Sequence, residues 1–371
     1  MSGEWKEYSL EDLLSYEQPT PYIVESTEYD DSFETPVLTA GASFILGYTD
    51  ETEGVYNQVP VIIFDDFTTA SKYVNFPFKV KSSAMKILTA NKELVLPKFI
   101  YYRMQTIKFE HSTHKRYWIQ QYSKIKVEVP SLSEQKRIVD KIEELFSELD
   151  SAVETLKKTK EQLAVYRQSV LKDAFDENFE TALFGEIMQS RLGKMLDAAK
   201  NIGKPQKYLR NINVRWLGFD LADLQEMKIE DSECEKYSLK NGDLIMCEGG
   251  EPGRCAVWDK GDGMFFQKAL HRIRFNGKEN PKFYMYYFLL LAQSDGLKKY
   301  FTGSGIKHLT GQSLVKIVVP VAPLKEQNEV IKKIESQFSV CENIEKTVND
   351  ALMQADAMRQ SILKKAFEGS L

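Results

Sequence analysis

The side chains in this chain best suited to chemistry gather in a few polar loops. The sharpest is CEGGEPGRC, Cys247–Cys255. Gly249, Gly250 and Gly253 permit a positive φ and Pro252 fixes a turn, so the backbone can come close to another molecule. The loop carries Arg254, whose planar guanidinium can grip a phosphate or make two hydrogen bonds to one guanine. Two readings fit it: a plain hairpin turn, or a loop that brings Arg254 to a polyanion. A nucleotide-cradling P-loop is not one of them, because the closing Gly-Lys-Ser/Thr is missing. QKYLRNINV, Gln206–Val214, sets Lys207, Tyr208, Arg210, Asn211 and Asn213 in a strand-like run. There Asn can bond N6 and N7 of adenine together, and Arg the two acceptors of guanine. FTGSGIKHLTGQ, Phe301–Gln312, is a small-residue loop with Ser304, Lys307 and His308, suited to close approach of backbone to phosphate. FQKALHRIRF, Phe266–Phe275, alternates, with Gln267 and His271 on one face and Arg272 and Arg274 on the other. At least one of those faces is core, so only part of the strand, Gln267 and His271, is offered to a ligand.

The first half of the chain has weaker counterparts. DDFTTASKY, Asp65–Tyr73, occupies the place of the glycine loop and offers Thr68, Thr69, Ser71 and Lys72 by analogy. HSTHKRYW, His111–Trp118, precedes a strand as the Gly-Ser-Gly loop does, and offers Lys115, Arg116 and Tyr117. Catalytic signatures are missing. A methyltransferase of DNA amino groups needs Asp/Asn/Ser-Pro-Pro-aromatic and a glycine-rich cofactor loop, and the sequence has neither. A nuclease needs clustered carboxylates with a lysine to hold Mg²⁺ and activate water. Asp65-Asp66 and the triplet Glu226–Lys228 are better read as a surface turn and a solvated helix, since no Pro-Asp precedes the triplet. Cys234, Cys247, Cys255 and Cys341 show no C-x-x-C spacing, so neither a zinc site nor a disulfide framework is expected.

Charge and length bound the rest. The 371 residues are 43% apolar and 28% charged, an ordinary globular composition with room for two or three domains. The longest apolar run, Tyr284–Ala292, is too short to span a bilayer. The N-terminus lacks the apolar core of a signal peptide, so a cytoplasmic protein is expected. The net charge of −5 argues against a uniformly basic nucleic-acid binder. Residues 181–322 nevertheless carry about +5 and residues 1–130 about −5, which places any polyanion contact most credibly in the second half.

What positions these loops is a duplication. KIKVEVPSLSEQKRIVDKIEELFSELD, Lys124–Asp150, aligns without a gap to KIVVPVAPLKEQNEVIKKIESQFSVCE, Lys316–Glu342. The offset of about 192 residues holds to the end of the chain, with about twenty identities in some fifty-five positions, closing on RQSVLKDAF and RQSILKKAF. Each copy reads as a strand, a proline turn and a long helix, begun near Ser133, Glu134 and Gln135 in the first. Ile142, Leu149, Leu156, Leu163 and Val170 recur every seventh residue, and Ile334, Cys341, Val348, Ala355 and Ile362 repeat the pattern. Each helix, from Glu134 to about Glu177 in the first copy, would be roughly 65 Å long. Two seams of equal length in one chain are expected to pair antiparallel with each other, rather than pack on their own domains or form a homodimer. The predicted architecture is α/β (α+β): mixed α/β domains over 1–130 and 181–322, helical spacers over 131–180 and 323–371, and pseudo-two-fold symmetry. The phrases PKFIYY and PKFYMYY recur in the two domains at helix-like spacing and read as core, not as base-stacking platforms.

The Glu-Gln phrases after the proline turns, the long helices and the closing R-Q-S-[VI]-L-K-x-A-F resemble the specificity subunits of type I restriction–modification systems. The stretch GDLIMCEGGEPGRCAVW with FQKALHRIRF is similar to parts of that family's target recognition domains, and the resemblance covers essentially the whole chain. It implies a non-catalytic subunit that binds double-stranded DNA, each domain reading half of a split target while the helices set the spacing. It also implies two modification (methyltransferase) subunits as partners, which bind S-adenosylmethionine, and restriction/translocase subunits in the full complex. No cofactor, metal or membrane is then expected for this chain, and Arg254 becomes a DNA contact. A coiled-coil scaffold or regulator of a defence system that reads no sequence is the alternative.

Overall fold

The computed structural model describes residues 5–41, 43–110, 116–176, 178–197 and 199–370. It divides into two units, Met1–Leu156 with Asn349–Leu371, and Lys157–Val348. The division cuts both long helices, Leu132–Ala174 and Leu324–Phe367, so each unit holds one part of each.

In the first unit a four-stranded antiparallel sheet runs in the order Leu14–Glu17, Met85–Ala90, Val61–Asp65, Ser71–Val74. A three-stranded sheet, Ile45–Thr49, Thr35–Leu38, Lys79–Val80, lies beside it, its last pair parallel. The apolar run VIIF is buried on both faces of the larger sheet. Ile62 and Phe64 enter one core and Val61 and Ile63 another, which is why the run is continuous rather than alternating. The first of these cores also takes in the helix Pro97–Met104, the start of the first long helix and the end of the second.

The second unit repeats this topology with almost unrelated residues. Its four-stranded sheet runs Met188–Leu192, Leu270–Phe275, Leu244–Cys247, Cys255–Val257. Its three-stranded sheet runs Gln225–Ile229, Lys204–Leu209, Phe265–Phe266, again with a parallel last pair. Leu244 and Met246 face one core, Ile245 and Cys247 the other. The strand before each long helix pairs antiparallel with the strand that opens its domain, Lys126–Val129 with Lys6–Ser9 and Val318–Val321 with Glu180–Leu183.

Within each unit the two helix segments pair antiparallel. In the first, Leu363, Ala366 and Phe367 share a core with Ile138, Val139 and Ile142, and Arg359 forms an ion pair with Asp150. In the second, Val170, Leu171 and Ala174 share a core with Val330, Ile331, Ile334 and Phe338, and Arg167 meets Glu345 at 2.8 Å. Of the heptad positions, Ile142, Leu163, Val170, Ile334, Cys341, Val348 and Ala355 are buried, whereas Leu149, Leu156 and Ile362 are half-buried. Cys341 is a free thiol packed as a small apolar residue.

The helix starts differ from the capping pattern expected at Ser133. The first helix begins at Leu132, and Ser131 caps it through its Oγ and its carbonyl, which accept from Glu134 and Gln135 backbone N–H groups. Gln135 does something else: it is wholly buried, and its side chain bonds three backbone groups of the domain.

Candidate nucleic-acid interface

The glycine loop of the second unit is a hairpin end. Gly253 N–H donates to Cys247 O at 2.9 Å, and Cys247 N–H to Arg254 O at 2.8 Å. Gly250 and Gly253 take φ of +80° and +92°. A side chain at Gly253 would strike Leu297, and one at Gly250 would meet the Asn211 amide at 2.9 Å. Glycine is needed because other segments close on this turn. Leu309 N–H donates to Glu248 O at 2.8 Å, a β-bridge joins Gly249 to His308, and Thr302 and His308 exchange backbone hydrogen bonds at 2.9 Å. The glycine loop, the Asn211 turn and the Gly303–Lys307 loop thus form one cluster.

Arg254 is the clip of that cluster. Its guanidinium donates to Glu251 Oε2 at 2.6 Å and to Asn211 O at 2.9 Å, and its side chain is only 14% exposed. Glu251 also accepts from Trp216 Nε1 at 2.6 Å. Two donors of the Arg254 guanidinium, offered by the sequence as a DNA contact, are thus engaged in holding the loops together. Arg210 is engaged in the same way, donating to the Asp223 carboxylate at 2.6 Å and to its carbonyl at 3.0 Å.

Three more candidates of this unit are interior. Tyr208 is core. Asn213 is buried and shapes its turn, accepting from Arg210 N–H and donating to the carbonyls of Asp220 and Asp223. His271 is buried, with Nε2 3.0 Å from Leu309 O, so that nitrogen carries the hydrogen. Burial lowers its pKa and keeps the ring neutral, against the opposing pulls of that bond and of Glu248. Strand alternation offered His271 to a ligand, but the four-stranded sheet it belongs to has both faces inside, and Asn213 lies in the short 3-10 turn Asn211–Asn213. Lys207, Ser304, Lys307 and His308 are exposed, with Lys307 Nζ donating to Gly303 O at 2.8 Å, while Asn211 and Gln267 are half-buried. Sequence reasoning missed Ile306, 74% exposed beside Lys307, although an isoleucine among small polar residues is a signal.

The first unit assembles the equivalent place differently. Asp65 Oδ1 accepts from Phe67 and Thr68 N–H at 2.9 and 2.8 Å, and Thr69 takes φ +57°, so the turn is fixed by a carboxylate instead of glycines. Tyr117 N–H donates to Asp66 O at 2.8 Å, as Leu309 does to Glu248. Thr68 and Arg116 are exposed, Thr69 and Lys72 half-buried, and Lys115 lies outside the described residues. Tyr117 and Ser71 are buried, Tyr117 with its ring against Phe109 and Ser71 accepting from Gln105 Nε2 at 2.8 Å, so neither is a surface reader.

The acidic pairs are also resolved. Asp65 shapes the turn, whereas Asp66 is buried, 3.3 Å from the equally buried Lys86 and accepting from Trp118 N–H at 2.8 Å. Lys86 stands opposite Phe64 as His271 stands opposite Met246, so one core position carries a charged pair in one domain and a neutral ring in the other. Glu226 and Lys228 lie on the strand Gln225–Ile229, not on a helix. Among the described residues no three His, Cys, Asp or Glu side chains converge as a metal cage, and no helix is long and apolar enough to cross a membrane.

Comparison with known proteins places this arrangement. The family model of the type I restriction modification DNA specificity domain matches residues 2–163 and again 177–354. The chain is 32% identical over 397 residues to the type I restriction enzyme EcoR124I/EcoR124II specificity subunit of Escherichia coli, covering 96% of this chain and 91% of that one. It is 28% identical over 270 residues to the EcoKI specificity subunit of Escherichia coli strain K12, covering 67% of this chain and 58% of that one. A chain from a study of complex assembly and conformational transition of a type I restriction–modification system superposes with a TM-score of 0.75 at 15% identity, over 100% of this chain and 98% of that one. An HsdS subunit from Thermoanaerobacter tengcongensis gives 0.58 at 15% identity, over 99% and 97%. The structural likenesses speak for the fold, and the two sequence matches, one per half, favour DNA specificity over a scaffold that reads nothing. The chain belongs to the type I restriction–modification DNA specificity family and is one of its specificity subunits.

Proposed function

We infer that this subunit reads a two-part DNA target, one half with each domain, and brings two modification methyltransferase subunits to it. The observation that carries the reading is the repetition of one head: the same sheet order twice, with loops of different sequence fastened at the same backbone positions. A constant frame with variable loops suits a protein whose two ends read different bases. In this reading Lys207, Asn211, Gln267, Ser304, Lys307 and His308 contact DNA in the second domain, and Thr68, Thr69, Lys72, Lys115 and Arg116 in the first. Lysines hold phosphates and amides read base edges. The chain itself carries no catalysis: S-adenosylmethionine binds in the methyltransferase partners, restriction/translocase subunits complete the complex, and the assembly works in the cytoplasm. Co-expression with the methyltransferase partner, pull-down and methylome sequencing test this. The expected result is a stable complex and one bipartite methylated motif; a stable complex without a bipartite motif, or no complex, overturns it.

A further inference from the structure

Each domain meets its long helix through a joint built from the same four parts. At the centre is a glutamine. Gln135, wholly buried, donates from Nε2 to Leu94 O and Pro130 O, both at 2.9 Å, and accepts at Oε1 from Leu96 N–H at 2.8 Å. Gln327, 1% exposed, donates to Lys278 O at 3.5 Å and Ala322 O at 2.7 Å, and accepts from Asn280 N–H at 2.7 Å. In both domains the bonded groups are the residue that follows the strand before the long helix and two residues just ahead of the Pro-Lys-Phe helix. Lys98 then pairs with Glu143, and Lys282 with Glu335 at 2.6 Å. Tyr102 meets Phe146 edge-on at 5.7 Å between ring centroids, as Tyr286 meets Phe338 at 5.9 Å. The other long helix adds the phenylalanine of its closing phrase, Phe367 on Phe99 at 5.3 Å and Phe175 on Phe283 at 5.1 Å.

A domain resting on a helix through apolar contacts alone can rock, because such contacts have no direction. Three hydrogen bonds from one buried side chain remove that freedom, since any rotation would strand a backbone donor or acceptor away from water. The identities agree: Gln135 and Gln327 are the same residue in both copies although the domains they hold have diverged.

We propose that the joints centred on Gln135 and Gln327 fix the tilt of each recognition domain on its helix, and so restrict the protein to one separation between half-sites. Helix length alone would leave that separation loose. The proposal rests on the bipartite reading above. Gln135→Met and Gln327→Met keep the length and burial of the side chain but remove all three bonds. Each variant is co-expressed with the methyltransferase partner and its methylome sequenced. Both are expected to methylate the wild-type half-sites and to accept spacers one base pair shorter or longer, with at least a tenfold rise in methylation at those sites. A merely destabilising core change, Leu88→Ala, lowers methylation without widening the spacer. If the methionine variants do not accumulate, Lys98→Met and Lys282→Met loosen the same joints at a half-buried and an exposed position and are expected to widen the spacer in the same direction. An assembled, active variant that keeps a single spacer, or that changes the bases of a half-site, overturns the proposal. A wild-type complex that methylates no two-part motif overturns instead the reading beneath it.

Discussion

Arg254 holds two loops at once, and the consequences of losing it differ from those of losing a phosphate contact. Arg254→Met removes the guanidinium bonds to Asn211 O and Glu251 Oε2, while Val214 N–H still donates to Asn211 O and Trp216 Nε1 to Glu251 Oε1, a cost of about 1–3 kcal/mol for the two lost bonds together. The expected outcome is a lower unfolding midpoint together with loss of discrimination at one half-site only, measured by urea titration and by binding to single-base variants of that half-site. Lys307→Met should behave oppositely: the fold is unaffected, every sequence is bound more weakly, and the slope of log affinity against log salt falls by about one. His271 adds a pH dependence. Burial depresses its pKa below that of the unfolded chain, so the unfolded state takes up a proton that the folded ring refuses. Stability is therefore full above the ordinary histidine range and falls as pH drops from about 6.5. Unfolding titrations between pH 7.5 and pH 5, on the protein and on His271→Gln, should show that fall in the first and a smaller one in the second.

At the scale of elements, the seam carries weight unevenly. Ile334 is fully buried, and Ile334→Ala should cost about 2–5 kcal/mol, whereas the half-buried Leu156, under Leu156→Ala, should cost under about 2 kcal/mol. Urea unfolding of the two variants distinguishes a graded seam from a uniform one. The helices were legible in the sequence because a seven-residue apolar period is local and was written twice. The Pro-Lys-Phe phrases were legible as core from their helix-like spacing. What escaped was non-local. Nothing in the spacing of the Glu-Gln phrase says that its glutamine is buried and bonded to three backbone groups of the domain. Likewise the polar loops could be picked out, but not which of their side chains the loops consume in holding one another, as Arg254, Arg210 and Asn213 are consumed. A guanidinium that clips loops and one that grips DNA look alike in sequence, because only the position of an acid such as Asp223 or Glu251 separates them.

For the whole molecule, the spacer should be adjustable without touching either reading head. The division between the units falls at Leu156 and at Val348, inside both long helices, and neither domain's sheets include residues near those points. Seven residues inserted after Leu156, with seven more after Val348, keep the heptad register and so keep the same apolar positions in the seam. Each helix then lengthens by about 10 Å. At 3.4 Å per base pair the accepted spacer should grow, by no more than about three base pairs, with both half-sites unchanged. Four residues inserted in one helix alone should instead break the register and lower stability with no defined new spacer. Methylome sequencing reads both results, and an assembled double-heptad variant that still methylates the original spacing would show that the helices do not set it. Replacing residues 181–322 with the corresponding domain of another family member separates the remaining possibility. If spacing belongs to the helices and their joints, and bases to the heads, that exchange changes one half-site and leaves the other half-site and the spacer as they were.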